Sequence, residues 1–269
     1  SKRSKFSKIA PKRVITDPDS ILPLDHFGQQ VDSDISAKYV PSWPHQLRAR
    51  INFFDVYSKE SSHLFMISHN RIEIDSSLQY FVSSNSHRLR DGKIGVWKTD
   101  GSGDFRGDNL SGVASSLLQK HEYSIPHEPN TNPFAERDLG VSKKMELSFL
   151  HQSENIPECV WPWGANQAIN LRRFLPTKGH ADNISPYQFL NPNAPPVDMS
   201  WAKVMYCDCT VVCSANPNDV HSKLGQRGYD ACHLGYDHKR HGYILWVKDL
   251  KRISTFRSVT SFGDPKSSH

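Results

Sequence analysis

The chain has 269 residues, 37% of them hydrophobic, which is enough for one large domain or for a medium domain followed by a small one. Its 33 Lys and Arg residues and 28 Asp and Glu residues give a formal net charge of +5, a mild basic bias that is compatible with a polyanionic partner. The longest apolar runs are only a few residues, so the sequence excludes a membrane-spanning helix and predicts a soluble protein.

The amino-terminal segment, residues 1–24, is a basic arm that we expect to be flexible. Lys2, Arg3 and Lys5 belong to a cluster of six basic residues within the first 13 positions, and no acid appears before Asp17. Three interpretations remain open: a solvated tail, an arm that binds nucleic acid, and the remnant of an organelle-targeting peptide.

Residues 25–180 show the pattern of an α/β domain. Strand-like segments at 28–35, 50–57 and 64–67 predict an antiparallel meander. A helix should follow, with Asp75 and Ser76 as possible caps, because apolar residues recur there at helical spacing: Ile74, Leu78, Phe81, Val82 and Leu89. The buried strand at 93–100 then delivers Asp100 to its carboxyl end, where sites are commonly built in such sheets.

The remainder of this domain is predicted to be helical. We expect a helix at 109–120, a mobile loop at 121–133, and a second helix from about Asn132 with Pro133 in its first turn. The apolar face of that second helix would consist of Phe134, Val141, Met145 and Phe149. A third helix would bury Trp161, Ala165, Ala168 and Ile169.

A linker at 181–200 should lead to a small basic β-domain at 201–263, followed by a tail at 264–269. The predicted strands lie at 203–214, 231–234, 242–247 and 251–262, separated by turn-forming residues. Basic side chains and aromatic rings alternate there, as in surfaces that bind a phosphate backbone and stack on bases, although a solvated face over core aromatics is the open alternative. The basic residues that we assign to nucleic-acid binding in this domain are Lys239, Arg240, Lys251 and Arg252.

Five cysteines, four of them late in the chain, argue against a disulfide framework and for a reducing compartment. Cys207, Cys209 and Cys213 share one parity, so in a strand they point to the same face. A packed strand face is the favoured interpretation. A zinc site completed by His221 or His233 is the alternative, but the paired spacing of structural zinc sites is missing.

Three acids are spaced so that they could form one site. Asp34 precedes Asp100 by 66 positions, and Glu136 follows Asp100 by 36 positions, in the first turn of a predicted helix. If the first strand and the Trp97 strand are neighbours, the two aspartates stand side by side and Glu136 can close the triangle. Such a carboxylate cluster suits Mg²⁺ or Mn²⁺ and two-metal phosphoryl transfer on nucleic acids.

The residues around these acids resemble copia-type retrotransposon integrases. Residues 98–105, KTDGSGDF, look like the family's motif at the second catalytic Asp, and residues 130–137, NTNPFAER, resemble its motif at the catalytic Glu. Residues 29–35, QQVDSDI, are similar to the segment that bears the first catalytic Asp, which carries over to Asp34 and leaves open whether Asp32 substitutes for it. Residues 55–59, DVYSK, look like the family's second-strand signature, so Asp55 is not expected to be catalytic.

The resemblance continues in collinear order through about residues 25–263, including WPWGA at 161–165, SPYQF at 185–189 and HLGY at 233–236. It implies a ribonuclease H-like integrase core, a mixed five-stranded sheet with flanking helices, followed by a small β-rich domain. It also implies that Asp34, Asp100 and Glu136 are catalytic and bind Mg²⁺ or Mn²⁺. Lys143 and Lys144, further along the helix of Glu136, are then plausible contacts to DNA phosphates.

The chain departs from the family at Ser36 and Ala37, where the family has Gly-Pro, and at Pro133, where it has Gly. Two hypotheses therefore stand. One is an active Asp/Asp/Glu polynucleotidyl transferase in the nucleus, which processes and joins DNA ends together with other protein subunits. The other is a domesticated, catalytically silent subunit of a large RNA-containing particle such as a mitochondrial ribosome, located in a mitochondrion or another organelle. A nuclease that cuts without joining is a third possibility.

Overall fold

The computed structural model describes residues 23–100, 105, 112–124, 132–153, 156–180, 183–212 and 228–263. A five-stranded mixed sheet occupies the first part, in the order β3-β2-β1-β4-β5. Its strands are β1 (Gln30–Ser36), β2 (Ala49–Asp55), β3 (Ser61–Met66), β4 (Ile94–Thr99) and β5 (Leu118–Tyr123). The β1, β2 and β3 strands pair antiparallel, whereas β4 runs parallel to both β1 and β5. This is the ribonuclease H-like integrase architecture that the resemblance implied.

The helices of the described residues are α1 (Arg71–Ser84), α2 (Gly112–Ser116), α3 (Pro133–His151), α4 (Trp161–Phe174) and α5 (Pro186–Leu190). The α1 helix begins at Asn70, whose side chain accepts a 3.0 Å hydrogen bond from the Glu73 N–H, so the cap is not at Asp75 or Ser76 as expected. Leu89 is buried, but it lies beyond the end of this helix.

One face of the sheet is apolar and packs on α1. Phe53 of β2 stacks on Phe81 of α1 with ring centroids 4.6 Å apart, and the fully buried Trp97 of β4 lies beside Phe53. The Trp97 indole N–H donates a 2.8 Å hydrogen bond to the Ser33 hydroxyl, which satisfies its polar group inside the core. This contact fixes β1 and β4 as neighbours.

The opposite face of the sheet is polar and packs on α3. Arg50 of β2 donates hydrogen bonds to Glu146 at 2.5 Å and to Ser142 at 3.2 Å, and Asn52 donates to Asp138 at 2.5 Å. All five side chains are buried, so charge pairing and hydrogen bonding compensate for their removal from water.

This packing corrects the predicted face of α3. Of the four expected apolar positions, Phe134 and Val141 are each 40% exposed, whereas Met145 and Phe149 are partly buried. The buried face instead carries Ala135, Leu139 and the polar residues that pair with β2. Apolar periodicity failed here because the helix packs on a strand whose inward side chains are themselves polar.

Residues 118–123 correct a second prediction, since they form β5 rather than the end of a helix and the start of a loop. Only Leu118 in this strand is buried, and the strand lies at the edge of the sheet, where β4 supplies its backbone partners. The predicted helix at 109–120 is reduced to α2. Its first three residues, and residues 125–131 of the predicted loop, lie outside the described residues.

A second sheet is entirely antiparallel, in the order β10-β6-β7-β8-β9. Its strands are β6 (Asp208–Val212), β7 (Gly228–Asp237), β8 (Gly242–Val247), β9 (Arg252–Phe256) and β10 (Ser261–Phe262). It forms the small β-rich domain that was expected. The predicted linker before it contains α5, which begins with a capping box between Ser185 and Gln188.

An apolar cluster joins the start of α4 to the second sheet. Val160, at the start of α4, packs with Met205, Tyr206, Cys232 and Leu234. Gly164 of α4 permits this approach, because a Cβ atom at that position would lie 2.6 Å from the Tyr206 hydroxyl. The second sheet is therefore held against α4 by close packing.

Cys207, Cys209 and Cys232 are buried free thiols, and burial raises the pKa of each. This agrees with a packed strand face; Cys213 and His221 lie outside the described residues. None of the helices in the described ranges has both the length and the apolar character needed to span a bilayer.

Candidate active site

Asp34 and Asp100 lie at the same edge of the first sheet. The parallel pairing of β1 and β4 places Asp32 opposite Lys98 and Ser33 opposite Thr99. Asp100 directly follows β4. If the same register continues for one more residue, Asp100 lies beside Asp34. Because neighbouring residues in register share a face, both carboxylates belong to the face on which α3 packs.

The first turn of α3 brings Glu136 to this edge. The Asn132 side chain is buried and donates a 2.9 Å hydrogen bond to the Ser33 carbonyl, one residue before Asp34. The Glu136 N–H in turn donates to the Asn132 carbonyl at 3.2 Å. Asn132 thus fixes the start of the helix against β1, and Glu136, in the first turn of this helix, is exposed to solvent.

Asp34 interacts electrostatically with both of the other predicted acids. Burial raises the pKa of Asp34 to about 6, and the negative charges of Asp100 and Glu136 contribute to the rise. A backbone hydrogen bond from Ile35 and the positive charge of Lys143 act in the opposite direction. Asp34 therefore experiences both of the other predicted acids and one of the predicted basic residues.

Asp32 points to the same face as Asp34 but has different neighbours. It is fully buried and accepts a 2.8 Å hydrogen bond from Gln30. Burial raises the pKa of Asp32, and the charged groups that modify it are Lys98, Glu122 and Lys59.

Asp55 ends β2 and pairs with Val31, three residues before Asp34 on β1. It is buried and accepts hydrogen bonds from the Gly28 N–H and from Ser58, which close the turn after the strand. Its hydrogen bonds are those of a turn-stabilising residue.

The chemistry of the three acids suits a hard divalent cation, because each supplies carboxylate oxygens. In the described part of the chain, however, no group of three or more His, Cys, Asp or Glu side chains has its donor atoms close enough to hold a metal ion. The raised pKa of Asp34 shows that the acids are nevertheless within electrostatic range.

The raised pKa of Asp34 predicts a cost in stability. Above pH 6 the Asp34 carboxylate is ionised in the folded protein, and its charge lowers the free energy of unfolding. This cost disappears as the pH falls through 6 and below 3.8, the usual pKa of the group, because the folded and the unfolded chain are then both protonated at Asp34. We expect Asp34→Asn to raise the unfolding temperature by about 3 °C at pH 7.5 in EDTA and by little at pH 4. Thermal unfolding by circular dichroism measures this, and a difference that is the same at both pH values would contradict it.

The predicted nucleic-acid-binding residues fall in three places. Lys143 lies near Asp34, and Lys144 is exposed on the same helix. Lys239 and Arg240 lie in the turn between β7 and β8. Lys251 lies in the turn between β8 and β9, and Arg252 is the first residue of β9. All four side chains are exposed. The arm residues Lys2, Arg3 and Lys5 lie outside the described residues.

Two kinds of residue at these places were not predicted from the sequence. Asn132 was used only to mark the helix start, and nothing in the sequence indicates its bond to Ser33. No binding role was predicted for Trp43 or Trp163, although they line a cavity together with Arg240 and Arg252. An exposed tryptophan in a loop beside Pro44 is a weak signal that could have drawn attention to the first of them.

Comparison with known proteins relates the chain to one group. No family model matches it. The retrovirus-related Pol polyprotein from transposon TNT 1-94 of Nicotiana tabacum is 24% identical over 167 residues, which are 62% of this chain and 12% of that polyprotein. A chain in the simian T-cell lymphotropic virus intasome, solved in complex with PP2A regulatory subunit B56 gamma, aligns with a TM-score of 0.50 and 16% identity over 89% of this chain and 80% of that one. The chain has a retroviral integrase-like fold and is similar in sequence to a retrotransposon Pol polyprotein.

The chain is thus similar in sequence to a short part of the polyprotein and similar in fold to the intasome chain. The HTLV-2 integrase catalytic core domain in complex with magnesium is a further similar structure, with a TM-score of 0.44 and 16% identity over 60% of this chain and 95% of that one. The chain matches about an eighth of the polyprotein's length.

Proposed function

We propose that the chain is a copia-type integrase that binds DNA, processes its 3′ ends and joins them to a target strand, with Asp34, Asp100 and Glu136 as its catalytic and metal-binding residues. The observation that carries this proposal is the placement of Asp34 and Asp100 at one edge of the sheet: the β1–β4 register aligns the two aspartates, and the charges of Asp100 and Glu136 both contribute to the raised pKa of Asp34. The copia-like motifs around the acids and the similarity to a retrotransposon Pol polyprotein support it.

The reaction consists of two displacements at phosphorus. In end processing, a water oxygen attacks a phosphodiester near the DNA end, and the bond to the leaving 3′ oxygen breaks to give a free 3′ hydroxyl. In strand transfer, that hydroxyl attacks a phosphodiester of the target and displaces the target's own 3′ oxygen. Bond making and bond breaking balance in both steps, so neither requires an external energy source.

Asp34, Asp100 and Glu136 would hold two Mg²⁺ or Mn²⁺ ions, which when bound polarise the phosphate and stabilise the attacking and leaving oxygens. Asp34 and Asp100 are well suited to positioning the metal ions, because Asp34 lies within β1 and Asp100 directly follows β4 of the central sheet. Glu136 depends on Asn132, which fixes the beginning of its helix. Lys143, close enough to lower the pKa of Asp34, would bind a DNA phosphate beside the carboxylates.

The direct test is a strand-transfer assay with the purified chain, a labelled DNA duplex end and a supercoiled target. We expect joined products with Mg²⁺ or Mn²⁺ and none with EDTA. Cleavage without joining would replace this proposal with a nuclease. The absence of both cleavage and joining with either metal, in a preparation that still binds DNA, would reject the enzyme.

The second candidate is a domesticated, catalytically silent subunit that binds RNA within a large particle. The departures from the family favour it. Ser36, where the family has Gly, is buried and donates a 3.0 Å hydrogen bond to the Tyr39 hydroxyl, and Pro133, which also replaces a Gly of the family, occupies the first turn of α3. The nucleus is the expected location of the enzyme, and a mitochondrion or another organelle that of the silent subunit. Purification of the tagged protein from its native cells distinguishes them, because the silent subunit would sediment with an RNA-containing particle.

A further inference from the structure

An open cavity of about 650 Å³ lies between the first domain and the edge of the second sheet. Trp43 and His45 line it from the loop after β1, and Trp163 lines it from α4. Arg240, Lys251 and Arg252 line it from the turns beside β8. None of the three acids of the candidate active site belongs to its lining, so this is a separate place on the molecule.

Trp43 presents a firmly held aromatic ring to this cavity. Its side chain is 39% exposed, whereas its backbone N–H donates a 3.1 Å hydrogen bond to the Cys159 carbonyl just before α4. The preceding Ser42 is fully buried and exchanges hydrogen bonds with Leu47, at 2.9 Å and 3.0 Å, which close the loop. The ring is therefore exposed on a rigid support, which lowers the entropy cost of stacking a ligand on it.

The other side of the cavity is cationic. Three basic side chains and one acid, Asp237, line it, so the lining carries a net charge of three minus one, or +2. Arg240 forms a solvent-exposed ion pair with Asp237 at 3.7 Å. Within the described part of the chain, Lys251 and Arg252 are exposed and make no ion pair, which leaves both cations available to a ligand.

We infer that this cavity binds an unpaired nucleobase and its flanking phosphates, and that the chain thereby holds a single-stranded segment of nucleic acid. An exposed aromatic face opposite clustered Lys and Arg side chains is the chemistry that recognises single strands, since the base stacks and the phosphates pair with the cations. A base inside a duplex cannot offer its face, because its neighbours cover it. The inference rests on the proposed nucleic-acid binding but not on the proposed catalysis.

The test of stacking compares two fluorescent strands of equal length and charge, an oligothymidylate and an abasic deoxyribose-phosphate chain. Binding to the whole protein is measured by anisotropy in EDTA, so that the metal site plays no part. We expect the unmodified protein to bind the thymidine strand about tenfold more tightly, as one stacked base predicts. Trp43→Ala should abolish this preference and leave affinity for the abasic strand unchanged, and Trp43→Phe should retain most of it.

The test of the cations uses the double variant Lys251→Gln with Arg252→Gln. It should weaken binding of both strands alike and reduce the slope of log affinity against log salt by about 1.4, from two single-strand phosphate contacts. Lys93→Gln, which removes an exposed charge at the start of β4, is the control and should change neither value by much.

Equal affinity of the unmodified protein for the two strands would overturn the inference. So would a Trp43→Ala variant that loses affinity for both strands in equal proportion, because the ring would then only support the loop. Both outcomes are independent of strand transfer: an inactive protein that prefers the thymidine strand keeps the base site and rejects only the proposed catalysis.

Discussion

Asp100→Asn and Glu136→Gln should each lower the rate of strand transfer by about three orders of magnitude or more, equivalent to about 4 kcal/mol of transition-state stabilisation. Each change keeps the shape of the side chain but removes the charge that a divalent cation requires. The two variants should still bind DNA in EDTA, because binding through phosphate contacts does not depend on these acids. Rates of joined-product formation on a labelled DNA end measure the effect.

Asp32→Asn is the matched control, since Asp32 lies two residues before Asp34 on the same strand face and its charged neighbours do not include Asp100 or Glu136. We expect its activity to remain within a few-fold of the unmodified protein. If Asp32→Asn abolished joining and Asp34→Asn did not, the first catalytic acid would be Asp32. Retained joining in Asp100→Asn or Glu136→Gln would contradict the assignment of the whole site.

Arg50→Met should lower the free energy of unfolding by about 3 to 5 kcal/mol at pH 7.5, measured by urea denaturation. Arg50 is buried and pairs with Glu146, which is also buried, so the variant leaves a charge without its partner inside the fold. Burial raises the pKa of Glu146 and the guanidinium of Arg50 opposes that rise. In the variant the pKa therefore rises further, and part of the lost stability should return as the pH falls and Glu146 becomes protonated.

Two further proteins make this prediction specific. The double variant Arg50→Met with Glu146→Leu should recover most of the loss, because it removes the unpaired charge as well. Lys120→Met breaks an exposed pair with Glu122, at 2.6 Å, and should cost less than about 1 kcal/mol. A loss for Arg50→Met as small as that for Lys120→Met would show that the buried pair contributes little.

The apolar half of the fold could be predicted from the sequence because its signals are local. Alternating or continuous apolar residues mark β1, β2 and β4, and Leu78 and Phe81 recur at helical spacing on α1. The edge strand β5 could not be predicted in this way, since Leu118 is its one buried side chain and most of its stability comes from backbone pairing with β4.

The polar half depends on partners that are distant in the sequence. Acidic residues such as Asp138 and Glu146 would normally be assigned to the solvated face of a helix. Their burial is explained only by their partners, Asn52 and Arg50, which lie more than 80 residues earlier in the sequence. The positions of Asp34 and Asp100 followed from assuming that their strands are neighbours, and β1 and β4 are indeed neighbours in the sheet. The cavity at Trp43 could not be foreseen, because it exists only where a loop of the first domain meets the second sheet.

The apolar cluster that joins the start of α4 to the second sheet limits how the protein can be divided. Val160 precedes α4, whereas Met205 and Leu234 belong to the second sheet and the segment before it. If fragments cleaved near residue 200 came apart, each would expose apolar side chains of this cluster to water. Each fragment would be prone to aggregate, even though each contains a complete five-stranded sheet. Proteolysis between the sheets should consequently yield a nicked pair that stays together until denaturant is added.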